Sequence, residues 1–361
     1  MTKIKILILV IIASASVFYF FNNKEESTPK IMINSEKLPI LSKAPEIRGI
    51  ASWINSEPLT LESLKGKVVL IDFWTYSCIN CIRTLSFVEG WYEKYKDNNF
   101  VLLGIHSPEF AFEKDKKNVE SAVAKYGLTY PIAQDNDHKT WNAFSNRYWP
   151  AHYLIDTKGN IRYQHFGEGR YDETEQAIQN LLLEAGLLTV DKLAQVTEPP
   201  ADTDFSNIGT PEIYLGYLRI NNVGNMDENV PAGKPFTFRA PETVEKNKFY
   251  FSGTWKVDPE SSQYIGKKGE EGKILIHYKA SKLNMVLSAD KEVEAEIKID
   301  GKYLDDSSKG ADVEVVNGVS RVIIKESRLY NLVDTNNSYD WHIMEIIPKS
   351  PGLKAFTFTF G

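Results

Sequence analysis

The sequence predicts two folded parts of different class, an α/β domain followed by an all-β sandwich of jelly-roll type, behind an apolar N-terminal segment. Three observations support this division. A branched apolar run at 68–73 leads directly into a helical pattern that opens with two cysteines. Residues 187–209 contain a Pro- and Asp-rich stretch, which is typical of a linker. Beyond residue 210 the helical periodicity ends, and apolar and polar residues alternate as in half-buried strands.

Length and charge are those of an ordinary globular protein. The chain has 361 residues, of which 42% are hydrophobic, and a formal net charge of -6. At about 150 residues per domain, this length predicts two domains with a tether. A nucleic-acid partner would require a basic face. We therefore predict no nucleic-acid binding.

Residues 1–23 are predicted to be a signal anchor. Lys3 and Lys5 precede the uncharged stretch 6–21, which is the pattern of an export signal. Cleavage after Ala15 would leave an apolar new terminus with no core to enter, so retention as a single membrane anchor is favoured. Lysines before the span place the body outside the cytoplasm. The sequence thus predicts an extracytoplasmic protein anchored to the cytoplasmic membrane, with residues 24–47 as its tether.

Cys78 and Cys81 are the only cysteines of the chain, and they open the predicted helix. A cysteine thiol has a pKa of about 8.5 and is mostly protonated at neutral pH, but the unpaired amides and the dipole of a helix N-terminus stabilise the thiolate. We therefore predict that Cys78 attacks a disulfide. Cys81 lies one turn deeper, where it can resolve the mixed disulfide formed at Cys78.

Other interpretations of the cysteine pair are weaker. A zinc site needs about four ligands, and the sequence has no second Cys pair and no closely spaced His pair. Covalent haem attachment needs His after the second cysteine, where Ile82 stands. A structural disulfide across so short a loop would add little stability. We predict a redox-active pair with no metal and no cofactor.

The motifs around this pair resemble the thioredoxin superfamily. Asp72-Phe73-Trp74 precedes the cysteines, and the residues 74–81 are similar to the soluble region of DipZ-type proteins, which belong with the TlpA-like membrane-associated thiol oxidoreductases. The segments 106–110, 210–216 and 355–361 are also similar to these DipZ-type proteins. The resemblance implies a thioredoxin-like domain of the TlpA-like branch at 48–186 and a β-sandwich similar to a carbohydrate-binding module at 210–361.

The elements of the first domain follow the order that this fold requires. After the tether the sequence predicts a short hairpin within 50–67, then the strand and helix around the cysteines and a second buried strand at 100–105. A helix stopped by Gly127, a short strand at 130–133 and a brief helix near Trp141 come next. A hairpin spanning 151–166 and a last helix closed by Gly186 complete the domain.

Asp72 lies inside an otherwise apolar run. Burying a carboxylate costs several kcal/mol unless its proton state is used. The resemblance implies that Asp72 relays the proton of Cys81. The alternative is a carboxylate at a strand end, capped by backbone amides.

Five more residues are predicted to support the cysteines or to bind substrate. The resemblance implies a cis Pro150 that faces the pair, against the alternative of an ordinary trans proline at a strand start. Trp149, Trp74 and Tyr76 flank these motifs and are taken as supporting or substrate-binding residues. Similarity to TlpA-like proteins places Glu109 near the thiols as a selectivity or proton group. A helix-capping carboxylate is an equal alternative for this residue.

The second domain has about eight predicted strands with Gly, Asn and Asp turns, and the segment 292–301 alternates strictly. The resemblance to carbohydrate-binding modules implies a possible glycan ligand. Trp255, Tyr264, Tyr339 and Trp341 are candidates for stacking on a sugar ring, although aromatic residues in a sandwich more often belong to the core.

The predicted function is an extracytoplasmic, membrane-anchored thiol-disulfide oxidoreductase. The resemblance favours reduction of disulfides in exported proteins, with recharging by a CcdA-like membrane carrier, but the motif itself leaves the direction open. One alternative is a thiol peroxidase of peroxiredoxin type, for which a Thr/Pro-rich turn before the cysteine is expected and Tyr76-Ser77 does not supply it. The other is a surface glycan-binding protein with a redox domain.

Overall fold

The computed structural model describes residues 37–189, 205–227, 229–267 and 269–361. The predicted signal anchor, most of the predicted tether and residues 190–204 of the predicted linker lie outside these ranges. Within them, the helices are too short or too polar to cross a lipid bilayer. Residues Lys37–Gly361 form one compact unit that contains both predicted domains.

The first domain is built on a mixed sheet whose order is β1-β7-β6-β3-β4-β5-β2. Strand β3 lies at its centre, parallel to β4 and antiparallel to β6, and all seven of its residues are buried. Burial on both faces explains its continuous apolar sequence. The strands are β1 (Ser42–Lys43), β2 (Ser52–Ile54), β3 (Val68–Trp74), β4 (Phe100–His106), β5 (Ile132–Gln134), β6 (Ala151–Ile155) and β7 (Asn160–Phe166).

Four α-helices of the described part of this domain cover the sheet: α1 (Ile79–Tyr95), α2 (Lys116–Tyr126), α3 (Lys139–Ala143) and α4 (Tyr171–Glu184). Helix α1 buries Leu85, Val88 and Trp91 in the core. Helix α2 ends at Gly127, whose φ of 67° is open to glycine without strain. The thioredoxin-like order of strands and helices predicted from the sequence is thereby confirmed.

The hairpin predicted within 50–67 is wrong. Strand β2 pairs antiparallel with β5, from Ser52 opposite Gln134 to Ile54 opposite Ile132. Leu59 and Leu61 form no strand and pack instead against the core beside the sheet. Pairing β2 with β5 covers a sheet edge that a local hairpin would leave open. Strand β1, within the predicted tether, pairs with β7 in the same way at the opposite edge.

The second domain is all-β, as predicted, and its strands form a nearly closed antiparallel sheet around one apolar core. The main path runs β16-β17-β14-β19-β12-β10-β11-β20-β13-β18. Alternation is clearest in β14, where Val293, Ala295 and Ile297 are buried and the residues between them are not. The strands are β8 (Ile213–Tyr214), β9 (Pro235–Phe238), β10 (Phe249–Val257), β11 (Ser262–Tyr264), β12 (Lys273–Lys279), β13 (Lys282–Ala289), β14 (Val293–Ile299), β15 (Lys302–Tyr303), β16 (Val313–Val316), β17 (Val319–Ile324), β18 (Arg328–Asp334), β19 (Trp341–Pro348) and β20 (Leu353–Phe360).

The two domains pack directly on each other. Phe356 of β20 contacts the rings of Phe110 and Phe112, with centroid distances of 5.1 Å and 4.9 Å. The Tyr76 hydroxyl donates a hydrogen bond to the carbonyl oxygen of Ser327 at 3.0 Å. The cysteine-bearing end of the first domain is therefore covered in part by the second domain.

Candidate active site

Cys78 is the N-cap residue of α1, directly after the turn that follows β3. Its Sγ accepts the backbone N–H of Cys81 at 3.4 Å, so the sulfur takes the place of the oxygen that usually caps a helix. Cys78 is half-buried and lines a cavity of about 470 Å³. It is the cysteine that a substrate can reach.

Cys81 differs from Cys78 in both exposure and ionisation. Its side chain is 1% exposed, and both cysteines are free thiols. Burial raises the pKa of the Cys81 thiol well above its usual range, and the hydrogen bond with Cys78 raises it further. Such a thiol keeps its proton at neutral pH until a base removes it. This asymmetry supports the predicted roles of attack at Cys78 and resolution at Cys81.

Asp72 is buried in the middle of the central strand. Its Oδ1 lies 3.3 Å from Nε2 of His152, the residue opposite it on β6. This distance allows electrostatic attraction, but the geometry gives Oδ1 no hydrogen bond. The Asp72 charge also contributes to the raised pKa of Cys81 and of Tyr130. Asp72 therefore lies in the interior of the protein, near enough for its charge to act on Cys81. It does not lie at a strand end, because β3 continues two residues past it.

His152 is a buried site residue that the sequence analysis missed. Its ring meets Trp91 edge-on at 5.6 Å and lies 6.1 Å from the ring of His165. Neither ring nitrogen has a hydrogen-bond partner among the described residues. The sequence near His152 carries no signal for this contact, which depends on the register in which β6 pairs with β3. The buried carboxylate thus has a buried imidazole beside it.

The Trp149–Pro150 bond is cis, which is the conformation that the resemblance implies. Trp149 lines the same cavity as Cys78. Its indole N–H donates to the carbonyl oxygen of Ser107 at 3.0 Å, and its ring packs on Trp141 at 4.3 Å. These contacts fix the orientation of the Trp149 ring beside the reactive thiol.

The predicted substrate contacts of Trp74 and Tyr76 need correction. The side chains are 0% and 3% exposed, and neither lines the cavity. Trp74 is the last residue of β3 and packs edge-on against His106 at 5.2 Å. Tyr76 turns toward the second domain and bonds to Ser327. Trp74 is therefore closed off from substrate, whereas Tyr76 lies away from the cavity at Cys78 but lines a second cavity with Tyr126 and Arg328.

Glu109 lines the cavity with Cys78 and bonds to the second domain. Its Oε1 accepts hydrogen bonds from the Tyr214 hydroxyl at 2.8 Å and from Nη1 of Arg219 at 2.7 Å. The capping alternative applies to Glu113 instead, which accepts the backbone N–H groups of Glu109 and Phe110. The sequence analysis did not predict the contacts of Glu109 with Tyr214 and Arg219, although Tyr214 lies in the segment 210–216 that carries part of the resemblance.

Glu113 is fully buried beneath the residue that precedes the reactive cysteine. Its Oε1 accepts the hydroxyl of Ser77 at 2.5 Å. Burial, together with the nearby Glu109 carboxylate, raises the pKa of the Glu113 carboxyl to about 7. Below about pH 7 the Glu113 carboxyl therefore carries a proton next to Ser77, the residue before Cys78.

Replacing Glu113 with glutamine is expected to remove a pH dependence of stability. The folded protein holds the Glu113 proton up to about pH 7, whereas the unfolded chain releases it near 4.5. The free energy of unfolding of the wild type should therefore fall as pH rises between these values, by about 3 kcal/mol. Glu113→Gln keeps the accepting oxygen and cannot ionise, so its curve should lack this decline.

Urea unfolding of both proteins at about pH 5 and about pH 7.5 measures the difference. Glu292→Gln, which changes an exposed carboxylate of the second domain, is the matched control and should follow the wild type. Parallel curves for the wild type and Glu113→Gln would contradict the assignment of the buried proton to Glu113.

Comparisons with known proteins agree with the thioredoxin-like class of the first domain. Residues 40–164 match the AhpC/TSA family, and residues 210–361 match the thioredoxin like C-terminal domain family. Protein DipZ of Mycobacterium tuberculosis (strain CDC 1551 / Oshkosh) is 39% identical over 247 residues, which cover 68% of this chain and 35% of DipZ. Thiol-disulfide oxidoreductase YkuV of Bacillus subtilis (strain 168) is 33% identical over 141 residues, covering 39% of this chain and 94% of YkuV. A solution structure of a thioredoxin-like protein in the oxidized form is 32% identical, covers 40% of this chain and 96% of that chain, and has a TM-score of 0.37.

A central β-strand that leads into a helix capped by the first cysteine of a Cys-x-x-Cys pair defines a thioredoxin-like redox domain. The chain belongs to the thioredoxin superfamily, and its relatives include DipZ and the thiol-disulfide oxidoreductases. It spans about a third of the length of the DipZ proteins that it matches.

Proposed function

We propose that this chain exchanges thiols and disulfides through Cys78 and Cys81. The observation that carries the proposal is the pairing of a half-buried Cys78 at a helix N-terminus, facing a cavity, with a buried Cys81 one turn away. An accessible thiolate attacks, and a protected thiol acts only after the first bond has formed. The two cysteines meet these two requirements.

In the reducing direction the Cys78 thiolate attacks one sulfur of a substrate disulfide. A bond between Cys78 and the substrate forms, the substrate S–S bond breaks, and one substrate thiolate leaves. Asp72 then accepts the Cys81 proton, and the Cys81 thiolate attacks the Cys78 sulfur and expels the second substrate thiolate. The protein ends with a Cys78–Cys81 disulfide, and two electrons have passed to the substrate. The oxidising direction reverses these steps.

We infer reduction of exported proteins outside the cytoplasmic membrane, with electrons supplied by a CcdA-like membrane carrier. The pattern of residues 1–23 and the resemblance to DipZ-type proteins support this assignment. Reduction potentials of related pairs run from about -270 mV in a reductant to about -120 mV in an oxidant. A potential near the lower value, measured against glutathione buffers, is expected.

The cellular test of the electron supply is separate from the test of chemistry. In cells that lack the carrier, the Cys78–Cys81 pair is expected to accumulate as the disulfide, scored by alkylation of free thiols. A pair that stays reduced in those cells contradicts the proposed supply. The proposed location is tested by adding protease to spheroplasts. A second domain that stays protected from the added protease would contradict the proposed location.

A peroxidase is the second candidate, because residues 40–164 match the AhpC/TSA family. Peroxide would then oxidise the Cys78 thiolate directly. We expect the reduced protein to consume hydrogen peroxide no faster than its Cys78→Ser variant. Rapid consumption that depends on Cys78 would favour the peroxidase.

Glycan binding by the second domain has less support than its sequence suggested. Trp255 and Tyr264 are fully buried core residues, which is the alternative that the sequence analysis favoured, so these two do not stack on a sugar. Tyr339 and Trp341 are partly exposed, and the Lys246 ammonium lies 4.6 Å from the centre of the Trp341 ring. The jelly-roll type of this domain and a glycan ligand stay proposals, to be tested with the whole chain on a glycan array.

A further inference from the structure

The cavity beside the reactive cysteine has walls from both domains. Cys78 and Trp149 lie on the side of the first domain, and Glu212, Tyr214 and Thr359 lie on the side of the second. The volume of about 470 Å³ falls within the range of about 300–1,000 Å³ that is typical of sites for small ligands. A folded domain is far larger than this cavity. A small molecule or an extended segment of chain can enter it and bring a disulfide to Cys78.

The second domain is held against the cysteine helix by contacts at the residues of the motif itself. Ile79, which stands between the two cysteines, packs against an apolar cluster that contains Val286, Leu329 and Phe356. These three residues belong to β13, β18 and β20 of the second domain. The N-terminus of α1 is therefore partly covered by the second domain.

Glu109, Tyr214 and Arg219 form a hydrogen-bonded cluster at the edge of the cavity, where the second domain meets the first. The Arg219 guanidinium lies 3.9 Å from the centre of the Tyr214 ring and 5.1 Å from that of Phe110, besides its ion pair with Glu109. Cation-π contacts and a charged hydrogen bond each stabilise this arrangement. Glu109 is thus shared between the domains at the edge of the cavity.

The wall of the second domain offers polar groups to a ligand. The Thr359 side chain is 7% exposed, and its Oγ1 has no hydrogen-bond partner among the described residues although it lines the cavity. A buried hydroxyl without a hydrogen-bond partner is destabilising, and a ligand that bonds to it would remove this cost. Glu212 is exposed as a whole residue and lines the cavity, but burial of its carboxyl group, together with the nearby Glu109 carboxylate, raises the pKa of that carboxyl to about 7. Arg147, from the first domain, is exposed and lines the same cavity. An extended peptide carries a donor and an acceptor at nearly every residue and matches such a mixed lining.

We propose that the second domain is a wall of the substrate site and that, among polypeptide disulfides, it restricts Cys78 to those carried by extended segments. This inference rests on the proposed thiol-disulfide exchange. It assigns the second domain a role in selecting substrates for the first. A peptide that enters the cavity passes between Trp149 and the Glu212 side, with its disulfide at Cys78.

The test narrows the cavity from the second domain. Glu212 is exposed as a whole residue and lies outside the apolar core of the second domain, so Glu212→Trp adds bulk to the wall of the cavity. Stopped-flow measurements with the reduced whole chain give rate constants for two probes, hydroxyethyl disulfide and an unstructured peptide whose single cysteine is linked to 2-nitro-5-thiobenzoate. Glu212→Trp is expected to slow the peptide at least about tenfold and the small disulfide less than about twofold.

Two further variants separate the causes. Glu212→Gln removes the charge and keeps the size, so it is expected to slow the peptide less than about threefold. Glu292→Trp makes the same change at an exposed position of the second domain that does not line the cavity, and it should leave both rates unchanged.

The outcomes are distinguishable. If Glu212→Trp leaves the peptide rate unchanged, or slows both probes equally, the proposed restriction by the second domain is overturned. If the wild type reacts with neither probe, the exchange reaction itself fails, and that result contradicts the proposed function.

Discussion

Replacing Cys78 with serine is expected to slow the reduction of a disulfide in an unstructured peptide by at least about a thousandfold, because it removes the attacking sulfur. Serine at this position still caps α1, since its oxygen can accept the backbone N–H that the Cys78 sulfur accepts. The variant should therefore fold like the wild type. Release of 2-nitro-5-thiobenzoate from the unstructured peptide described above, measured with the reduced protein, gives the loss.

Cys81→Ser is the matched variant, and it should fail at a different step. Cys78 is intact in it and still attacks, but no buried thiol is present to resolve the product. We expect a stable mixed disulfide between Cys78 and a substrate chain, detected by mass spectrometry under non-reducing conditions. Equal turnover by the wild type and Cys78→Ser, or a mixed disulfide formed by Cys78→Ser, would refute the assigned roles.

Local features of the site were predictable from sequence because neighbouring residues determine them. The apolar run before Cys78 specifies a buried strand, and the three- and four-residue spacing after it specifies a helix face. Gly127 ends helix α2 because glycine adopts the left-handed backbone conformation of a helix C-terminus without strain. The position of the cysteine pair at the start of α1 follows from these local signals.

Contacts between distant residues were not predictable in the same way. Strand β2 pairs with β5 across about 80 residues, and nothing near β2 distinguishes that partner from a local one. His152 reaches Asp72 only because β6 pairs with β3 in one register. Glu109 and Tyr214 stand 105 positions apart, and their hydrogen bond requires the domains to dock. Motif resemblance marked Glu109 as part of the site, but it could not supply its partners.

The raised pKa of Cys81 makes the resolving step depend on a base, and this yields the second large expected effect. Below that pKa the thiolate fraction of an unassisted Cys81 rises tenfold for each pH unit. In the wild type Asp72 accepts the proton, so the rate of resolution should rise less steeply with pH. In Asp72→Asn this route is closed. Resolution near pH 7 is expected to be about 100-fold slower and to recover as pH rises.

Single-turnover decay of the mixed disulfide, followed from about pH 6 to about pH 9, measures this difference. Glu175→Gln is the matched control, because Glu175 is a buried carboxylate bonded to Tyr95 at the far end of α1, and its pH profile should follow the wild type. The Asp72 charge has a second effect of opposite sign, since it contributes to the raised pKa of Cys81. If that repulsion is its main influence, Asp72→Asn will lower the Cys81 pKa and speed resolution at neutral pH. A slower reaction with a steeper pH profile is therefore the result that identifies Asp72 as the proton acceptor.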